Sequence, residues 1–126
     1  ILHHLDLARV YGELARVLRD GGHAIFLEPL GHNALINLYR RMTPAARTPD
    51  EHPLRMADLD LARQYFDTVT FEACGLTTLA TVPLKHRATF QRALNAAIRL
   101  DDRLFSWSFL ARNAWFGLFV FSAGAR

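Results

Sequence analysis

The sequence of 126 residues holds a single cysteine, Cys74, so no internal disulfide braces it, and no Cys/His spacing suggests a zinc finger. A reducing, cytoplasmic setting is the default expectation for such a chain. Long apolar runs are missing too. The longest, Ala114 to Phe121, is far shorter than the ~20 residues a membrane-spanning helix needs, and no membrane partner is expected. An extended basic run is also absent. Lys and Arg number 15 against 12 Asp and Glu, and the arginines lie scattered, which argues against a nucleic-acid partner. There is no internal repeat and no low-complexity segment. With 51% apolar and 21% charged residues, the composition is that of an ordinary folded domain and excludes a disordered chain.

The opening Ile1-Leu2-His3-His4 carries no signal-peptide pattern and reads as the end of an apolar strand. The chain is therefore expected to be the later part of a longer domain. Asp6 is a plausible N-cap for a helix carrying Leu7, Val10, Leu14, Val17 and Leu18. That helix should stop at Arg19-Asp20-Gly21-Gly22, where glycine takes a positive φ without steric cost. Ala24-Ile25-Phe26-Leu27 is apolar on both faces and predicts a strand covered on both sides. Asn33 caps a predicted helix with Leu35, Ile36, Leu38, Tyr39 and Met42, ended by Thr43-Pro44. Residues 43–55, with Pro44, Pro49 and Pro53, read as a loop. A short helix with Leu59, Ala62, Tyr65 and Phe66, capped by Asp58, precedes a half-buried strand over 68–73 that points Val69, Phe71 and Ala73 one way. Residues 76–84 fit either a short helix or a strand or turn. Phe90, Leu94, Ala97, Ile98 and Leu104 then mark a longer helix, and 114–122 reads as a central strand. Trp107, Trp115 and the aromatics from Phe105 to Phe121 read as core.

Leu2-His3-His4-Leu5, an amphipathic helix, Leu18-Arg19-Asp20-Gly21-Gly22 and then Ile25-Phe26-Leu27-Glu28-Pro29 occur in an order and at spacings that resemble the C-terminal half of a class I S-adenosylmethionine-dependent methyltransferase. The resemblance covers essentially the whole chain, 1–126, as one truncated domain. It implies an α/β fold, the C-terminal part of a Rossmann-like sheet with helices on both faces and a final antiparallel strand between the other two. Residues 1–5 could add a stub of a fourth strand. It also implies methyl transfer from S-adenosylmethionine to a small-molecule acceptor. The family's glycine-rich cofactor loop and the acidic residue after its second strand have no counterpart here. The longer parent is thus the expected enzyme, and this chain alone is expected to bind the cofactor weakly or not at all. The alternative is a non-catalytic module for packing or dimerisation. Apolar sheet surface left open by truncation would favour a homo-oligomer.

By the resemblance, Leu2 and His3 end the fourth strand beside the cofactor, at the carboxyl edge where open α/β sheets bind ligands. A base helps methyl transfer when the acceptor is a hydroxyl or a protonated amine. His4, Glu28 and His52 are the candidate catalytic residues. Adjacent strand residues point to opposite faces, so at most one of His3 and His4 is expected to face a given pocket. Glu28 could accept a hydrogen bond from substrate or fix the start of the Asn33 helix. His32 is either a substrate contact or a turn residue. In the proline-stiffened loop, His52 and Glu51 are candidate acceptor contacts, with Arg47 and Arg55 orienting a polar or anionic group. Otherwise the loop is a solvated connector whose charges pair with one another. No metal is expected, because neighbouring strand histidines chelate one ion poorly and no third ligand stands at helical spacing. Cys74 has no adjacent activating group.

Overall fold

The computed structural model describes residues 1–46, 48 and 50–124. Three strands, β1 (His23–Pro29), β2 (Thr68–Cys74) and β3 (Phe116–Ser122), form one sheet in the order β1-β3-β2. The last strand is central and antiparallel to both neighbours, with Phe119 opposite Phe26 on one side and Phe71 on the other. Helix α1 (Leu7–Val17) precedes β1, and α2 (Ala34–Met42) and α3 (Met56–Ala62) lie between β1 and β2. Helices α4 (Phe90–Leu104) and α5 (Ser108–Ala111) connect β2 to β3. The ambiguous stretch before α4 is a 3-10 helix, Thr77–Leu84.

Local signals set most of these boundaries. Asp6 Oδ1 accepts the Arg9 N–H at 3.3 Å, and Asn33 Oδ1 accepts the N–H groups of Leu35 and Ile36 at 3.0 and 3.1 Å. Each side chain thereby satisfies donors that a helix start leaves free. After α1 the chain turns through Gly21 at φ 70°, a conformation in which a Cβ would be strained. Asp58 does not cap α3 as expected. The helix begins three residues earlier, at Met56, and Asp58 reaches back from its third position to accept the Arg55 N–H at 2.7 Å.

Strand alternation puts Ala24, Phe26, Glu28, Val69, Phe71, Ala73, Phe119 and Phe121 on one face of the sheet. Tyr11 of α1 meets the Phe121 ring edge-on at 5.4 Å, and Phe66, just after α3, stacks on it at 5.1 Å. Leu2, Leu7, Leu30, Leu54 and Leu59 close this core. Burial of each such side chain contributes about 1.5–3 kcal/mol before the entropy of ordering it.

Four expectations need correction. Helices on both faces were expected to cover β1, yet Ile25 and Leu27 are 63% and 60% exposed, so no helix among the described residues covers that face of the strand. Residues Leu2–His4 form a 3-10 turn and no strand stub, since His4 N–H bonds to Ile1 O and Leu5 N–H to Leu2 O. In α2, Leu35, Leu38, Tyr39 and Met42 are exposed, and the helix buries Ile36 and Arg40. The Arg40 guanidinium caps the Leu30 carbonyl at 2.8 Å, which makes its burial tolerable. Trp107 is 71% and Phe109 61% exposed, so neither belongs to the core, although Phe119 and Phe121 do.

Candidate functional site

The carboxyl end of β1 delivers Glu28 into the protein interior at 1% exposure. A carboxylate there must be matched by donors. Its Oε1 accepts the Leu2 N–H at 2.8 Å and the Ile1 amino group at 2.9 Å, and its Oε2 lies 2.5 Å from His3 Nδ1. Burial pushes the Glu28 carboxyl up; the hydrogen bonds from His3, the Ile1 nitrogen and the Leu2 N–H outweigh that and hold it below its ordinary value. Glu28 is thus ionised at neutral pH, and because an ionised carboxylate only accepts, His3 Nδ1 is the donor of the pair. Glu28 fixes the turn over residues 1–3; Asn33, the alternative, is held by the carbonyl of Asn113 at 2.6 Å.

The 3-10 turn brings His3 and His4 together, with ring centroids 4.1 Å apart, where a strand would have separated them. His4 Nδ1 stands 3.1 Å from Asp50 Oδ2 and 3.3 Å from Thr48 Oγ1. The Thr48 hydroxyl, first, and then the Asp50 backbone N–H and His4 keep the exposed Asp50 carboxyl below its ordinary value.

The loop over 43–55 returns to the same edge. Its His52 N–H donates to His3 O at 2.7 Å, Leu54 N–H to Pro29 O at 2.9 Å, and Gly31 N–H to Leu54 O at 2.8 Å. Leu54 thereby bridges Leu30 in parallel fashion. Gly31 permits the close pass, since a Cβ there would stand 2.9 Å from Pro53 O. The His52 ring is exposed, with Nδ1 3.4 Å from Asp50 O, and Glu51 is half-buried. Arg47 lies outside the described residues.

His32 is brought close, with its ring already engaged. Its Nε2 accepts the Met56 N–H at 3.0 Å, so Arg55 and Met56 at the start of α3 are tied to the end of β1. Burial, then the charges of Arg112 and Arg55, lower the His32 pKa, consistent with a neutral acceptor ring. Arg55 is exposed beside it.

Sequence reasoning missed Tyr11. Its hydroxyl is buried without a hydrogen-bond partner among the described residues, and burial, then Asp58 and Glu28, raise its pKa. The available signal was its place four residues after Leu7 on the buried stripe of α1. Burial pushes the Cys74 thiol up. No group of three His, Cys, Asp or Glu side chains that could hold a metal occurs among the described residues.

Leu2 and His3, the residues assigned to cofactor by resemblance, have most of their polar groups engaged within the chain. Leu2 is fully buried, its N–H is on Glu28, and its carbonyl receives the Leu5 N–H. The His3 carbonyl and Nδ1 are likewise engaged, which leaves its Nε2 as the group open to chemistry. No protein-family model matches the chain, and a search of curated proteins finds no match.

Proposed function

We propose that this chain forms the acceptor side of a methyltransferase domain of the Rossmann-like class, in a longer enzyme that moves a methyl group from S-adenosylmethionine to a small molecule. The observation that supports it is the His3–Glu28 pair at 2.5 Å, at the carboxyl end of a strand. A buried carboxylate that fixes the tautomer of a partly exposed imidazole is the arrangement of a general base and its orienting group. His3 Nε2 would take the acceptor's proton as the nucleophile bonds to the methyl carbon and the methyl–sulfur bond breaks, its electron pair staying on sulfur, and Glu28 would stabilise the imidazolium produced. His4, held by Asp50 and Thr48, and His52, tied to His3 O, line the acceptor's side of that ring. Glu28 is a positioning residue in this scheme, since all its contacts are internal. The cofactor is held by residues outside this chain.

The test is turnover of the longer enzyme. Its upstream sequence should contain a strand followed by Gly-x-Gly-x-Gly, and absence of that pattern sinks the proposal. His3→Ala should lower kcat by about a hundred- to ten-thousand-fold, and His52→Ala by about ten- to a thousand-fold, with cofactor affinity and melting temperature nearly unchanged. Unaltered turnover in both variants would leave the loop a solvated connector.

The open flank of β1 favours a second reading, a packing or dimerisation module without catalysis. Ile25 and Leu27 stand exposed on a strand whose second edge has no partner strand among the described residues. It requires a second copy bound across that face, seen as a dimer by sedimentation equilibrium that Ile25→Lys dissociates.

A further inference from the structure

The scattered arginines of the sequence are gathered by α4. At 3.6 residues per turn, Arg92, Arg99 and Arg103 fall on one stripe, diametrically opposite the Phe90, Leu94, Ala97 and Asp101 positions that face the fold. All three arginines are exposed, and none forms an ion pair among the described residues, where Arg16 and Arg63 do. Of the two nearby carboxylates, Asp101 turns inward onto Thr77 and Thr78, and Asp102 sits on the flank of the helix. Exposed Lys85 and Arg87 precede the helix, and exposed Arg112 follows α5. Residues 85–112 hold six Lys and Arg against two Asp, while the rest of the chain holds nine against ten. The whole positive excess of the protein therefore lies in this segment.

Large apolar groups interrupt that charge. Trp107 and Phe109 stand free just past the helix end, and Ile98 and Leu100 are nearly half exposed on its two flanks. The Arg112 guanidinium lies 5.0 Å from the centroid of the Phe109 ring. Phosphates alone would call for the cations and leave the apolar groups in water. A lipid interface accommodates both, with arginines at the headgroups and Trp and Phe at the boundary with the acyl chains.

We propose that α4, with Trp107 and Phe109 at the start of α5, docks the protein on the surface of an anionic lipid bilayer. No spanning helix is required, and none of the described helices is long and apolar enough to cross a membrane. The proposal draws on neither His3 nor Glu28, so it stands or falls independently of the methyl-transfer reading.

The test is co-sedimentation of the full-length protein with vesicles of phosphatidylcholine alone and of phosphatidylcholine with an equal part of phosphatidylglycerol. Binding is expected to the anionic vesicles only and should weaken as salt is raised. Arg92→Gln, Arg99→Gln and Arg103→Gln together should weaken it about a hundredfold. Trp107→Ser with Phe109→Ser should also weaken it, at unchanged circular dichroism, since both side chains are exposed. In a Trp115→Phe background, quenching of Trp107 fluorescence by brominated lipid should accompany binding. Failure to bind anionic vesicles at low salt overturns the proposal. So does binding that survives loss of Trp107 and Phe109 and is matched by a 20-base-pair DNA duplex, the outcome that marks a nucleic-acid surface.

Discussion

The carboxylate of Asp101 receives both the backbone N–H and the hydroxyl of Thr77, at 2.7 and 2.6 Å. Its second oxygen accepts the Leu76 N–H at 2.9 Å. One side chain on α4 thus ties down the start of the 3-10 helix that follows β2, and at 3% exposure it does so away from water. Asp101→Ala should therefore destabilise the fold by about 3 kcal/mol, because the half-buried N–H groups of Leu76 and Thr77 lose a charged acceptor. Asp101→Asn, which keeps one acceptor oxygen, should cost less. Urea midpoints of the two variants check the order.

Acid should unfold the protein through Glu28 and Asp101 together. Burial raises each carboxyl, and the donors around each more than offset it, so both fall below their ordinary values of 4.5 and 3.8. A carboxyl depressed by folding contributes its stability above its unfolded pKa and loses it as pH falls through the folded one. Stability should be flat with respect to these groups above about pH 5 and decline below about 4.5, steepening below about 3.8. In Glu28→Gln with Asp101→Asn the curve should start lower and lose most of that slope. Denaturant unfolding from pH 7 to pH 3 measures both features, and a wild-type curve flat throughout would refute the assignment.

Gly31→Ala should disturb the loop that carries His52. The new Cβ would press on Pro53 O at 2.9 Å, and backbone must move to relieve it. The expected cost is about 1–3 kcal/mol. The displaced segment also includes Leu54, whose N–H and carbonyl tie it to Pro29 and Gly31. Amide exchange at Leu54 should therefore accelerate more than at Phe119 in the sheet centre. Equal acceleration at both would point to a global loss of stability without loop release.

Much of the scaffold was legible from local chemistry. Asp6 and Asn33 announced their helices because a cap is a contact between residues two or three apart. Val69, Phe71 and Ala73 announced the core face of β2 because a strand's side chains alternate by geometry alone. The central place of β3 was legible from its apolar character on both faces, which an edge strand in water would not sustain. The same rule failed for Ile25 and Leu27, since a pattern specifies that a surface should be covered and does not supply the element that covers it.

The site was legible as residue types and hidden as geometry. His3, His4, Glu28 and His52 are visible in the sequence as polar groups near a strand end. Whether His3 and His4 diverge or converge depended on a 3-10 turn whose donors are recruited by Glu28, 25 positions further along than His3. The Arg92, Arg99 and Arg103 stripe follows from helical periodicity once α4 is known, so sequence by itself determined it. That Trp107 and Phe109 would stand in solvent beside that stripe, and that Asp101 would turn inward to Thr77, was decided by tertiary structure alone. The exposure of an aromatic ring and the pairing of a carboxylate depend on which distant surfaces come together, and no local spacing encodes that.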